Sequence, residues 1–238
     1  MKNVRTEPIP LLNRGYIRLC SYTQPAVADA NWTGDFEVVR NARTSYAGES
    51  KTGKSATADQ KLINYLVEHS HTSPLESMSF TFEVKAPIFV FRQWHRHRTW
   101  AFSELSGRYQ ELPEEYYIPE VSQITEQSVA NKQQRTDTEH PKAVEIQDII
   151  SKSCGRAFED YHRLLELGTP RELARGVLPL NTYSKMFGTV NLLNALKFCK
   201  LRSHDHAQYE IKIYADAMLE IMLTVCPEVL AAARKHWL

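Results

Sequence analysis

The stretch Met78-Ser-Phe-Thr-Phe-Glu-Val-Lys-Ala86, followed by Pro87-Ile-Phe-Val90, decides the architecture of this 238-residue chain. Phe80, Phe82, Val84 and Ala86 alternate with Ser79, Thr81, Glu83 and Lys85, the period of two expected of a strand with one buried face. Pro87 suits the first position of a helix, where its fixed φ is pre-set and its missing N–H costs nothing, so a helix is expected from Ile88 to about Arg98. Working outward, 15–22 reads as a second strand. A helix is expected over 36–46, with Asn31 and Thr33 as candidate caps, and another over 57–69 through Leu62, Ile63, Tyr65 and Leu66. The segment 143–167 places Ile146, Ile149, Ile150, Ala157, Phe158, Tyr161, Leu164 and Leu165 on one helical stripe that stops at Gly168. Residues 206–224 repeat the pattern through Ala207, Ile211, Tyr214, Met218 and Ile221, and Cys226-Pro227 separates them from a terminal helix. The polar segment 120–141 has no clear period and is expected to be a mobile excursion without chemistry. No repeat or linker interrupts the chain, so one α+β domain over 1–238 is expected, helix-rich and with at least two strands.

The 29 basic and 28 acidic residues nearly cancel, which removes the global field of a nonspecific nucleic-acid or membrane binder; neither partner is expected. Any anion site must be a local cluster. Cys20, Cys154, Cys199 and Cys226 form no CxxC pair, so a zinc ribbon or dithiol redox motif is absent and free thiols are expected. Residues 1–14 lack the apolar core of a secretory signal, and no run approaches the ~20 apolar residues of a membrane helix. A cytoplasmic location is the expectation.

Two signals compete with the main one. Gly48-Glu-Ser-Lys-Thr-Gly53-Lys54-Ser55 matches the phosphate-loop pattern GxxxxGK[ST], but no apolar strand precedes it and the next helix is expected only at Thr57. The pairs His69/His71, His95/His97 and His204/His206 invite a metal reading. They fall near helix ends, where residues two apart diverge, and carboxylate companions are sparse, so no metal site is assigned.

The chemistry concentrates in Arg92-Gln-Trp-His-Arg96-His97-Arg98-Thr-Trp-Ala-Phe-Ser-Glu104-Leu-Ser106-Gly107-Arg108-Tyr109. Arginine's planar fork matches phosphate bidentately, which makes Arg96, Arg98 and Arg108 a candidate phosphate pocket. Backbone N–H groups at Ser106 and Gly107 are candidates to complete it. If 88–98 is helical, Gln93, Arg96 and His97 share a face. A solvated basic helix end is the bland alternative. Later in the chain, 191–202 is amphipathic and Leu201-Arg202-Ser-His-Asp-His206-Ala-Gln208-Tyr-Glu210 joins it to the next helix. There Arg202 is either functional or a helix C-terminal cation, and His206 either functional or a cap.

Arg96-His97-Arg98, seven residues and then Ser106 is the signature RHRx7S, and over roughly residues 11–233 the chain resembles the flavin-dependent thymidylate synthases. Supporting segments are His69-Ser-His71-Thr-Ser73-Pro74-Leu-Glu76, the strand at 80–90, Pro170-Arg-Glu-Leu-Ala-Arg175-Gly-Val-Leu-Pro-Leu-Asn181, and Leu201-Arg202 through Gln208. The resemblance implies helices packed around a twisted, mainly antiparallel sheet, in an intertwined homotetramer whose sites are shared between subunits. It also implies de novo formation of dTMP from dUMP, with 5,10-methylenetetrahydrofolate as carbon donor and FAD, reduced by NADPH, as hydride carrier. The absence of GxGxxG fits, since that family's flavin site is unlike a Rossmann fold.

By position, the resemblance assigns dUMP binding to Gln93, Trp94, His95, Arg96, Glu104, Leu105, Ser106, Gly107, Arg108, Arg175 and Arg202. It assigns FAD to Ser73, Glu76, Arg96, His97, Arg98, Glu104, Asn191 and His206, and places His71 near the folate and flavin rings. Arg202 is the expected catalytic residue, its permanent charge stabilising negative charge on the pyrimidine while C5 acts as nucleophile. Ser106 has no base beside it in sequence and is assigned to positioning. Three positions depart from the family's usual residues: Lys197 for an asparagine, Leu193 for a basic residue and Ser77 for a histidine. The competing reading is a nucleotide-binding module that keeps the pocket without turnover.

Overall fold

The computed structural model describes residues 4–26, 32–44 and 55–238. Along the chain come β1 (Ile9–Leu11), β2 (Gly15–Tyr22), α1 (Gly34–Thr44), α2 (Ala56–Glu68), β3 (Ser79–Pro87), α3 (Ile88–Trp94) and β4 (Ala101–Glu104). Then follow β5 (Thr125–Gln127), β6 (Arg135–Glu139), α4 (Ala143–Glu166), α5 (Arg171–Ala174), β7 (Tyr183–Asn191), α6 (Leu192–Arg202), α7 (Tyr209–Val225) and α8 (Pro227–His236). The main sheet has the order β1-β2-β3-β7-β4, every neighbouring pair antiparallel, and β5-β6 is a separate hairpin. The expected α+β class, helices against an antiparallel sheet, is what folds.

The alternation at 79–87 does what its period dictates. Phe80, Phe82, Val84 and Ala86 are buried with Ile17, Leu19, Met186 and Val190 on the helix-covered face. Each fully buried aromatic or aliphatic side chain there contributes roughly 1.5–3 kcal/mol. Strand β7, between β3 and β4, is hidden from a periodicity search because its pattern is inverted: Phe187 faces outward while Gly188 faces the core. Trp100 takes up the space that Gly188 leaves, and a Cβ on that glycine would stand 3.1 Å from the indole.

Other expectations are corrected. Helix α3 stops at Trp94 rather than near Arg98, because the chain turns there to bring Trp100 into the core, edge-on to Trp94 at 5.6 Å. Of the eight stripe residues expected in α4, only Phe158 and Tyr161 are buried and Ile149 is exposed, so this helix covers the protein along part of its length. The segment 120–141 folds as a 3-10 turn and the β5–β6 hairpin. Thr33 does cap α1, its Oγ1 accepting from the Phe36 N–H at 3.4 Å. Asn31, residues 45 and 46, and Gly48 to Lys54 of the phosphate-loop pattern lie outside the described residues.

Two junctions without a loop set the site. Strands β3 and β7 pair from Ser79↔Asn191 at one end to Pro87↔Tyr183 at the other, roughly 27 Å apart. Helix α3 follows β3 directly and α6 follows β7 directly, so the two helices start from opposite ends. At 1.5 Å per residue they run about 10 Å and about 16 Å, and their C-terminal ends meet where Arg202 reaches Gln93. Trp94 stacks on Phe198 there, ring centroids 4.6 Å apart.

Candidate functional site

Where α3 and α6 meet, the last residue of α6 is held by the last turn of α3. Arg202 donates from Nη1 to Gln93 Oε1 at 3.3 Å, from Nη2 to the Gln93 carbonyl at 3.4 Å and from Nε to His97 Nε2 at 3.1 Å. Arg202 is therefore more than an exposed helix-end cation. Because the guanidinium only donates, His97 Nε2 must be the unprotonated nitrogen, which makes the neutral tautomer the one with its proton on Nδ1. Burial, and then the Arg202 charge, push His97 down to about 4. Desolvation also lowers Arg202, from so high a starting value that the side chain stays charged.

The early end of α3 changes the geometry foreseen for the signature. Past Trp94 the chain makes tight i→i+3 bonds, Arg96 N–H to the Gln93 carbonyl and His97 N–H to the Trp94 carbonyl. Gln93, Arg96 and His97 do not share a helical face. His97 instead turns inward, edge-on to Phe198 at 4.8 Å, while Arg96 and Arg98 are exposed. Trp94 is wholly core, so only its backbone is left to contact a ligand.

Strand β4 carries the chain to the second half of the motif. Glu104, its last residue, accepts from Ser184 Oγ at 2.8 Å and lies 3.9 Å from His95, which desolvation lowers despite that carboxylate. The Leu105 N–H is pinned to the Lys185 carbonyl, and the chain then turns at Ser106 and Gly107. Ser106 Oγ accepts from the Arg108 N–H at 3.3 Å, and among the described residues no base contacts it. Gly107 lies under the stem of Arg175, and a Cβ there would stand 3.2 Å from Arg175 Cδ and 3.1 Å from Leu112, which explains the glycine. Arg108 reaches Glu172 at 3.4 Å.

Among the described residues, Arg96, Arg98 and Arg175 have no carboxylate partner, and the N–H groups of Ser106 and Gly107 have no hydrogen-bond acceptor. Such a donor set, cationic and unspent, fits phosphate and diphosphate. The residues present therefore suit FAD and a nucleotide monophosphate. At the departing positions, Leu193 is buried in the core and offers a cofactor nothing, whereas Lys197 is exposed and has no acidic partner among the described residues.

The remaining expected residues do not join this cluster. Ser73 and Glu76 are exposed on the 3-10 turn Ser73–Ser77, which packs beside the start of α6. Asn191 is the cap of α6, its Oδ1 accepting from the Asn194 N–H at 3.0 Å and its amide NH2 left over. One helix length, about 16 Å, separates Asn191 from Arg202. His71 stacks edge-on to Tyr65. His206, on the turn after α6, contacts Gln134 of the β5–β6 hairpin and lines a polar cleft of about 540 Å³ with Gln208, Arg135 and Lys212. Among the described residues no three His, Cys, Asp or Glu stand together as metal ligands.

Sequence reasoning missed the neighbours of this cleft. Gln208, Glu210, Tyr117 and Arg135 form a connected polar group behind Gln93. One signal was available: Glu210 occupies a position on the apolar stripe of α7, beside Ala207 and Tyr214, where a carboxylate requires partners.

A family model described as thymidylate synthase complementing protein matches residues 27–228. A flavin-dependent thymidylate synthase of Treponema denticola is 41% identical over 95% of this chain and 81% of its own length. One from Thermotoga neapolitana is 39% identical, covering 96% and 94% respectively. Among solved structures, a UMP/dUMP methylase from Streptomyces cacaoi bound with 5-Br dUMP superposes with a TM-score of 0.85 at 31% identity, covering 96% of this chain and 98% of that one. No helix among the described residues is long and apolar enough to cross a membrane.

Proposed function

The chain belongs to the flavin-dependent thymidylate synthase family, a family of enzymes, and on that premise we propose that it converts dUMP to dTMP, with FAD as its flavin, NADPH as reductant and 5,10-methylenetetrahydrofolate as carbon donor. The observation that carries the reading is the grip of Gln93 and His97 on Arg202 beside a set of unpaired arginines. Arg96, Arg108 and Arg175, with the N–H groups of Ser106 and Gly107, hold the phosphate of dUMP, while Gln93, Glu104 and the backbone at 94, 95 and 105 orient its base and sugar. Ser106 positions the substrate, since no base activates its hydroxyl.

Arg202 does the activating work. Carbon 5 of uracil becomes nucleophilic only if negative charge is tolerated on N3 and the adjacent carbonyl, and a guanidinium already aligned by three hydrogen bonds stabilises that charge without reorganising. His97 supplies no proton from Nε2, which accepts from Arg202; it orients the guanidinium and presents its ring to the flavin. When bound, the reduced flavin supplies the hydride that completes the methyl group. Arg98, Glu104 and His206 take up the rest of the flavin contacts near Arg202. Ser73, Glu76 and Asn191, a helix length away, serve the same cofactor from another copy, with His71 at the folate and flavin rings. A homotetramer with shared sites accounts for that separation, and for the exposed Val144, Ile149, Leu167, Leu173 and Leu180 as surface for partner copies.

The test is the visible spectrum of the purified protein with FAD and then dUMP, followed by product analysis with NADPH and methylenetetrahydrofolate. A flavin spectrum that shifts with dUMP, and formation of dTMP, are expected. Binding of both ligands with no dTMP would make the chain a nucleotide-binding module.

A further inference from the structure

The polar group behind Gln93 is a directed chain between two fixed ends. Arg202 can only donate hydrogen bonds; an ionised Glu210 can only accept them. Between them lie two amides in series: Gln93 Nε2 donates to Gln208 Oε1 at 2.5 Å, and Gln208 Nε2 donates to Glu210 Oε2 at 2.8 Å. An amide oxygen and nitrogen are told apart by such networks, and here only one assignment satisfies every link. Glu210 must receive an NH2 from Gln208, Gln208 must then show its oxygen to Gln93, and Gln93 must in turn show its oxygen to Arg202. The carboxylate thereby sets the direction of the whole series.

Glu210 is held still, with donors on both of its oxygens. It is 3% exposed, and its second oxygen accepts from Tyr117 Oη at 3.2 Å and from Arg135 Nη1 at 3.1 Å. Arg135 comes from the β5–β6 hairpin, where it is anchored further to the Gln123 carbonyl at 3.1 Å and lies over the ring of Tyr209. A buried carboxylate on the apolar stripe of α7 is a costly choice for packing alone. Its three-link connection to the guanidinium gives it a purpose.

We propose that Glu210 is a positioning residue for Arg202, acting through Gln208 and Gln93, with the hairpin's Arg135 and Tyr117 holding the carboxylate in place. This rests on the function proposed above. In that reading neither Glu210 nor Gln208 touches substrate; together they fix which atom of Gln93 the catalytic guanidinium meets. An uncharged Gln at 210 has both a donor and an acceptor, so only Arg202 is left to hold the direction of the series, and the inverted arrangement, with the Gln93 NH2 turned on Arg202, donor against donor, gains population.

The experiment uses the full chain with FAD. Glu210→Gln is expected to lower kcat about 10- to 100-fold, the scale of a misplaced catalytic group, with KM for dUMP within about threefold because the phosphate contacts remain. Glu210→Asp, which keeps an acceptor-only end, is expected to recover a substantial part of kcat. Gln208→Met cuts the series on the surface while leaving Glu210 with Tyr117 and Arg135, so it is expected to lower kcat like Glu210→Gln with an unchanged melting temperature. It also carries the test if Glu210→Gln does not fold. A fully active Gln208→Met enzyme overturns the relay, as does a folded Glu210→Gln enzyme with wild-type kcat. Crystal structures give a readout independent of turnover: Arg202 is expected to leave Gln93 Oε1 in Glu210→Gln, and its staying there refutes the proposal. Absence of dTMP formation by the wild type would instead remove the proposed function while leaving that structural comparison valid.

Discussion

Two regions of the molecule collect cationic side chains and treat them in opposite ways. On the outer face of the sheet, Arg18 of β2 and Lys185 of β7 converge on Glu83 of β3, with Tyr16 donating to the same carboxylate at 2.7 Å and Arg18 Nε at 2.6 Å. Burial alone would raise Glu83, but the hydrogen bonds from Tyr16 and Arg18 and the nearby cations hold it below the ordinary carboxylate range; Tyr16 is pushed up to about 12. Around the turn at 95–108, by contrast, Glu104 is spent on Ser184 and His95 and Glu172 on Arg108, and Arg96, Arg98 and Arg175 have no carboxylate partner among the described residues. The first region has its counter-ion in the chain. The second has no counter-ion in the chain for these arginines among the described residues, which costs stability and is what the proposed phosphate site requires.

The contrast can be broken at several points. Arg202→Ala should have the largest effect, a fall in dTMP formation of about 10²- to 10³-fold or more, with FAD retained as measured by flavin absorbance after gel filtration. Loss of flavin with activity would make Arg202 architectural, like Arg18. Glu83→Gln should cost about 2 kcal/mol in urea unfolding, since it weakens a buried acceptor of several donors, while activity per folded molecule is retained. A full loss of turnover at unchanged stability would show that the outer face is also a site.

Acid should separate the regions more gently. His97 titrates near 6.5 when unfolded and at about 4 when folded. Between those values the unfolded chain takes up the extra proton, so stability falls as pH drops from about 6.5 to about 4, by about 1 kcal/mol once its partial exposure is discounted. Glu83, being lowered, contributes above the unfolded carboxylate range and is lost as pH falls through its folded value. Unfolding measured from pH 7 to pH 4.5 should therefore lose part of its slope in His97→Gln and little in Glu83→Gln; equal slopes in His97→Gln and wild type would refute the assignment. The smallest effect belongs to the third charge-rich segment: Lys54→Ala and Ser55→Ala should leave dTMP formation unchanged, and a large drop in either would restore the phosphate-loop reading.

Residue pattern foretold the parts of the fold governed by local periodicity. Strand β2 falls on 15–22 as read, and β3 differs by one residue at each end. Strand β7 was illegible because Phe187 and Gly188 trade the faces that hydropathy would assign, a swap that only Trp100, far away in sequence, makes sensible. The end of α3 was misplaced for the same reason, since burying Trp100 outweighs another helical turn. At the site, RHRx7S and Arg202 were readable as residue types. Their joining through Gln93 and His97 depends on two helices arriving from opposite ends of one strand pair, which no local pattern encodes.

That arrival has a consequence for how the chain can change in length. Asn191 closes β7 and caps α6 at once, leaving no slack between the sheet and Arg202. One residue inserted within α6 would swing Arg202 around the helix axis by about 100° and carry it about 1.5 Å onward, away from Gln93 and His97. Among relatives, the spacing between the equivalents of Asn191 and Arg202 should be invariant, while length differences collect in the turns between other elements.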